Sequence, residues 1–182
     1  MSALFMSLAA LLSATQADAP PSPELVQRFI AALPPRQRPL NEIDPDDLGR
    51  LLRLNPGGEA DLRQILQAHA NCIAPPSDAS TDRMLRDVAT RLGTANVEAL
   101  VRLYQGPDLV RLGRLAGKAD RDSAEAAEFE RLLRAYPVEA FREAMQSASA
   151  SAIFDETLFE AIHACDRARA DALARAGLRA SD

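Results

Sequence analysis

The sequence predicts an all-α protein, an irregular bundle of about eight to nine short amphipathic helices with no β-sheet. Three observations lead there. Apolar residues recur at three- and four-residue spacing along most of the chain. β-Branched residues are scattered singly, not in alternating runs, so no strand is indicated. Proline and glycine cut the chain at short intervals. The segments share no repeated signature, which argues against a solenoid.

The start of the chain, MSALFMSLAALLSATQADA, passes from an uncharged beginning through an apolar run, Leu4 to Leu12, into Ala17-Asp18-Ala19 and then Pro20-Pro21. That order predicts a secretory signal peptide over residues 1–19, and so a periplasmic or secreted protein. The run is far shorter than the ~20 residues of a membrane span, so no stable span is expected. Residues 20–176 then form a single helical domain, and 177–182 a frayed tail.

Ser22 caps a first helix with Pro23 at its first position and Leu25, Val26, Phe29, Ile30 and Leu33 on one side, stopped by Pro34-Pro35. After a Pro- and Arg-rich connector, Asp44-Pro45 opens a second, carrying Leu48, Leu51 and Leu52 and ended by Asn55-Pro56-Gly57-Gly58. A third runs from Glu59 to Ile73 with Leu62, Ile65, Leu66 and His69 on its stripe, and Pro75-Pro76-Ser77 is expected to break it. Ser80 or Thr81 caps a fourth (Met84, Leu85, Val88, Leu92) that stops at Gly93, and Thr94 caps a fifth containing Val97, Leu100, Val101 and Tyr104. Asp108 to Ala116 reads as a sixth. Asp122 with Glu125 makes a capping box for a seventh, and Pro137 starts an eighth with Val138, Phe141 and Met145 facing inward. Ser147 to Ser151 reads as a hinge before a last, long helix from Ile153 to about Ala176.

The formal net charge is −5, and all but one of the 21 basic residues are arginine, Lys118 being the exception. Those arginines alternate with acids at helical spacing, as in Asp82-Arg86 and Glu130-Arg134. Such pairs build a solvated, salt-bridged face and not a basic stripe, so no nucleic-acid partner is expected.

Two short stretches hold all the histidine and cysteine: His69-Ala70-Asn71-Cys72 and His163-Ala164-Cys165. A Cys₂His₂ zinc site needs four convergent ligands, and on a helix His163 points away from Cys165, so no metal site is expected. A Cys/His nucleophile needs a thiolate stabilised by positive charge. Cys72 near a helix C-terminus and Cys165 on an apolar stripe do not meet that need. In an exported chain, two cysteines on or beside core-facing stripes predict one disulfide, Cys72 to Cys165, with two separate buried thiols as the alternative. His69 lies near the middle of its stripe and is expected to be at least half buried; His163 is expected exposed, near Phe159.

Asp44 to Asn55 fails the calcium-loop pattern at its fifth and twelfth positions, Leu48 and Asn55, and reads as an acid-rich helix start. Asn55-Pro56-Gly57-Gly58-Glu59 lacks the Lys and Ser/Thr of a phosphate loop. No G-x-S-x-G, H-E-x-x-H or G-x-G-x-x-G occurs, so no cofactor and no catalytic residue is indicated.

The segment Asn96 to Asp108, NVEALVRLYQGPD, resembles the core motif of domain-of-unknown-function family 2059, small exported bacterial helical proteins. In that family a helix ends in an aromatic-Tyr pair before a Ser/Thr-Pro turn and a second helix. Tyr104 and Pro107 match; Leu103 and Gly106 stand where the family has an aromatic residue and Ser/Thr. The resemblance implies an exported all-α protein and supplies no catalytic residue. Tyr104 is expected in the core, its hydroxyl bonded to the following turn.

The functional expectation is a non-enzymatic module that binds an envelope protein or peptide through an apolar groove between helices. The alternative is an envelope hydrolase using carboxylates, with His69 as acid or base, and a third reading is a structural or stress-related protein. His69 and Tyr104 are the polar core-side residues to inspect.

Overall fold

A computed structural model describes residues 19–35, 39–153 and 155–181. Among them are seven α-helices and no strand: α1 (Pro23–Ala32), α2 (Pro45–Leu54), α3 (Glu59–Gln105), α4 (Asp108–Ala116), α5 (Ser123–Ala135), α6 (Val138–Ile153) and α7 (Glu156–Arg175). The all-α expectation holds, with fewer helices than expected. The predicted signal peptide, except for Ala19, and Phe154, predicted in the last helix, lie outside the described residues. No helix among the described residues is long and apolar enough to cross a membrane.

The helix count falls because three expected helices are one. α3 spans 47 residues and runs through Pro75 and Pro76, where a break was expected. Each proline removes one i→i−4 hydrogen bond, here those to the carbonyls of Asn71 and Cys72, at a typical cost of ~3 kcal/mol per interior proline. Asn71 and Cys72 are both exposed, so water can take those carbonyls. Packing on both sides of the proline pair, described below, outweighs the local preference.

The one non-helical residue inside α3 is Gly93, at φ 77 and ψ 170, a region open in practice only to glycine. There the chain turns and exposes the N–H of Thr94, which donates to the Ala19 carbonyl at 3.1 Å; the Thr94 hydroxyl donates to the same oxygen at 2.7 Å. Thr94 therefore holds the N-terminal segment in the kink of the long helix.

Two cores are threaded on α3. The first joins Leu25, Val26 and Phe29 of α1 and Ala144 and Ala148 of α6 to Val88, Leu92, Val97 and Leu100 of α3. Phe141 meets Phe29 and Tyr104 edge to face, at centroid distances of 6.1 and 6.3 Å. The second joins Leu48 and Leu51 of α2 and Leu173 of α7 to Leu62 and Leu66 of α3. Burying each of these Leu, Val and Phe side chains contributes ~1.5–3 kcal/mol. Leu115 and Leu132, both fully buried, join α4 to α5, and Arg121 closes that hairpin by donating to the Leu115 carbonyl and lying over the Phe129 ring.

The caps follow the sequence in part. Ser22 accepts from Leu25 N–H at 3.2 Å and Asp122 from Glu125 N–H at 2.8 Å. The Asp122/Glu125 box is not reciprocal, because the Glu125 carboxylate pairs with Lys118. The Asp82-Arg86 and Glu130-Arg134 pairs form, at 2.7 and 3.4 Å. The hinge expected at Ser147 to Ser151 is helical and belongs to α6, and the junction before α7 is held by Asp155. Its carboxylate accepts from Leu158 N–H at 3.2 Å and pairs with Arg83 of α3.

The segment expected to fray after Gly177 instead makes specific bonds. Asn55, buried at the end of α2, donates to the Leu51 and Arg179 carbonyls, both at 2.9 Å, and accepts from Arg179 N–H at 2.7 Å. Arg50 donates to the Ala180 carbonyl at 2.8 Å, and Leu178 packs on the second core.

Gly93→Ala should lower stability by roughly 1–3 kcal/mol, the cost of forcing a Cβ into this conformation; an unchanged urea midpoint would contradict the kink. Hydrogen bonds from Arg83 and from Leu158 N–H hold the Asp155 carboxyl below its usual range. Its contribution is therefore present above the unfolded-state value and lost as pH falls through the lowered folded-state value. The Tm gap between the native chain and Asp155→Ala should be open at pH 6 and close below about pH 4; a gap independent of pH would contradict the pairing.

Candidate functional site

The sequence singled out Cys72, Cys165, His69 and Tyr104, and the structure brings the first three together while leaving Tyr104 apart. Cys72 is bonded to Cys165, with Cα atoms 5.8 Å apart, across 93 residues of sequence. Cys165 is buried on α7, whereas Cys72 lies on the exposed edge of α3. A thiolate leaving from Cys165 would emerge into an apolar interior, which disfavours exchange. The bond is a tie of the kind that forms and persists mostly in oxidising compartments. In the chain-entropy picture a loop of this length contributes about 4 to 5 kcal/mol.

One turn before Cys72, His69 faces α7. Its Nε2 lies 2.9 Å from Oδ1 of Asp166, and its side chain is only 14% exposed against 51% for the aspartate. A carboxylate can only accept, so Nε2 is the donor in this contact. The distal nitrogen, the one best placed to reach a substrate, is thus occupied. No free thiol exists beside it, since both cysteines are bonded. The pair is better suited to clamping α3 to α7 than to moving protons.

A second polar contact extends the tie to α2. Arg169, one turn after Cys165, meets Asp47 of α2 at 2.7 Å, with both side chains about a fifth to a quarter exposed. Asp47 also receives Arg50 at 2.8 Å. Asp166, Arg169, Asp47 and Asn55 were not singled out from the sequence. The register of the disulfide carries the signal for two of them: if Cys72 faces Cys165 on antiparallel helices, the turn holding His69 must face the turn after Cys165.

His163 lies outside this cluster. It is exposed, with its ring 4.1 Å from that of Phe159 and nearly perpendicular to it. Among the described residues no three His, Cys, Asp or Glu side chains converge to hold a metal ion.

Tyr104 is at the far end of α3 and only half-buried, which raises its hydroxyl above the usual range. The bond expected from it to the following turn is made by a different tyrosine: the Tyr136 hydroxyl donates to Asp108 at 2.7 Å, which raises the Tyr136 hydroxyl in turn. The turn itself depends on Gly106, where a Cβ would stand 2.7 Å from the Arg102 carbonyl oxygen. The Tyr104 hydroxyl makes no hydrogen bond among the described residues. With Val138, Phe141 and Met145 it lines an apolar groove of about 770 Å³ between α3 and α6, whose one charged lining residue, Arg142, is paired with Glu139.

No known protein family, curated protein or solved structure matches the chain.

Replacing both cysteines by alanine, or reducing the native bond, should lower Tm by roughly 10 °C. A Tm that does not respond to reductant would overturn the reading of the bond as the main tie between α3 and α7.

Proposed function

We propose that the protein is a non-enzymatic binding module of the cell envelope, exported to the periplasm, that takes an uncharged peptide segment into the groove between α3 and α6. The groove carries this reading. Its lining is aliphatic and aromatic, from Tyr104, Val138, Phe141 and Met145, and its volume of about 770 Å³ suits one or two bulky side chains. The Tyr104 hydroxyl, which has no partner among the described residues, supplies a polar handle for a peptide carbonyl alongside Gln146 and Ser149, and the charge at the lip, Arg142, is paired with Glu139. The disulfide supports an oxidising compartment, and the apolar leader and the likeness of Asn96 to Asp108 to an exported helical family point the same way.

The competing hydrolase reading draws on the 2.9 Å contact between His69 and Asp166. It is the weaker one, because that contact occupies the distal ring nitrogen.

A capped, uncharged peptide carrying a phenylalanine and a leucine is a suitable probe, with the Met145 methyl group followed by NMR. Titration should shift the Met145 signal, and Ala150→Glu at the exposed lip should abolish the shift without altering the fold. No shift with the native chain would overturn the reading. Cleavage of the peptide by the native chain and not by His69→Gln would replace it with the hydrolase.

A further inference from the structure

The carbonyl oxygen of Ala19, the last residue of the expected leader, is held twice. The Thr94 N–H donates to it at 3.1 Å and the Thr94 hydroxyl at 2.7 Å, across 75 positions of sequence. Thr94 opens the helical stretch that follows Gly93, the non-helical residue inside α3, so this oxygen lies at the positive end of that stretch. Ala19 is thus a bonded part of the folded domain.

Removal of the leader at the Ala19-Pro20 bond would undo this arrangement. Hydrolysis there turns the Ala19 carbonyl into the carboxylate of the departing leader and leaves a new ammonium on Pro20. Thr94 loses its acceptor, and a cation arrives at the positive end of a helix, the sign of charge that the helix dipole disfavours there. The bond is also a hindered one to cut: its nitrogen carries no hydrogen, and the proline ring carbon crowds the residue before it.

A second pair of small residues stands two positions upstream. The sequence there reads Thr15-Gln16-Ala17-Asp18, four residues outside the described ones. Small side chains three residues and one residue before the cut are what leader removal requires, and Asp18 rather than proline follows this cut. Hydrolysis here keeps Ala19 and its contact. It also puts the new ammonium two residues further from the helix end, on a residue with a carboxylate of its own.

We propose that the leader is removed between Ala17 and Asp18, so that the mature chain begins at Asp18 and keeps Ala19 as the acceptor for Thr94. An envelope leader peptidase supplies the catalysis and water the oxygen: the Ala17-Asp18 amide bond breaks, Ala17 leaves as a carboxylate and Asp18 keeps the nitrogen as an ammonium. The assignment rests on the export reading above and adds to it the position of the cut.

The full chain, produced with its leader in a Gram-negative host, is recovered from the periplasm and its intact mass measured. A mass starting at Asp18 is expected. A periplasmic chain starting at any other residue, Pro20 above all, would overturn the cut and leave export standing; an uncut chain confined to the cytoplasm would overturn export and the cut together. Ala17→Phe should leave the precursor uncut, whereas Ala19→Phe should be processed like the native chain, and the reverse pattern would overturn the cut. Melting reads the contact: Thr94→Val, which removes the hydroxyl donor, should lower Tm by about 2–4 °C in a chain starting at Asp18 and leave a chain starting at Pro20 unchanged. Equal shifts in the two chains would overturn the role given to Ala19.

Discussion

The continuity of α3 is the constraint on which the other elements depend. At ~1.5 Å per residue, 47 helical residues would span about 70 Å if straight, far more than a single small core requires. The protein uses the length by laying α1 and α6 on one half and α2 and α7 on the other. The proline pair is tolerated because packing on each side of it holds the helix direction, and because the freed carbonyls belong to exposed residues. The glycine is needed for the opposite reason: Gly93 is where the helix does turn, and the N–H released there finds a partner in the N-terminal segment. One helix thus contains both a tolerated helix breaker and a required one, and position in the tertiary structure decides which is which.

Around that spine the polar contacts act mainly as fasteners. The disulfide and the His69-Asp166 contact lie between the first half of α3 and α7, and the Arg169-Asp47 pair joins α7 to α2. Asp155 and Arg83 join the start of α7 to the middle of α3. Asn55 secures the end of the chain with two hydrogen bonds to Arg179 from a single buried side chain. No side-chain nitrogen or oxygen buried among the described residues is left without a partner.

Much of the fold was legible in the sequence. Helical spacing of Leu, Val and Phe gave the helical class and the inward faces of α1, α2 and the second half of α3. Ser22, Asp44 and Asp122 marked helix starts that the structure keeps. The Cys72-Cys165 bond was expected from two cysteines on or beside core-facing stripes of a chain with an export leader, with two separate thiols as the alternative. What stayed hidden depends on contacts distant in sequence. Pro75-Pro76 reads locally as a stop, and nothing near it reports the packing that overrides it. Tyr104 and Tyr136 are interchangeable in the sequence as partners for the turn after Pro107, and only their placement shows that Tyr136 reaches Asp108. Asn55 looked like a turn residue because its partner, Arg179, lies 124 positions away.

Two cores on one helix also bear on how the molecule comes apart. A single core of this size melts as a unit, since losing any part exposes the rest. Here the core built on α1 and α6 and the core built on α2 and α7 communicate through α3 and the α6-α7 junction, and the disulfide reinforces only the second. Their opening free energies need not be equal, and the cross-linked half is the one biased toward surviving partial unfolding. The groove at Tyr104 lies in the half without the covalent link, so the surface proposed for recognition is also the more adaptable part of the molecule. Covalent restraint and conformational freedom are thereby divided between the two ends of one helix.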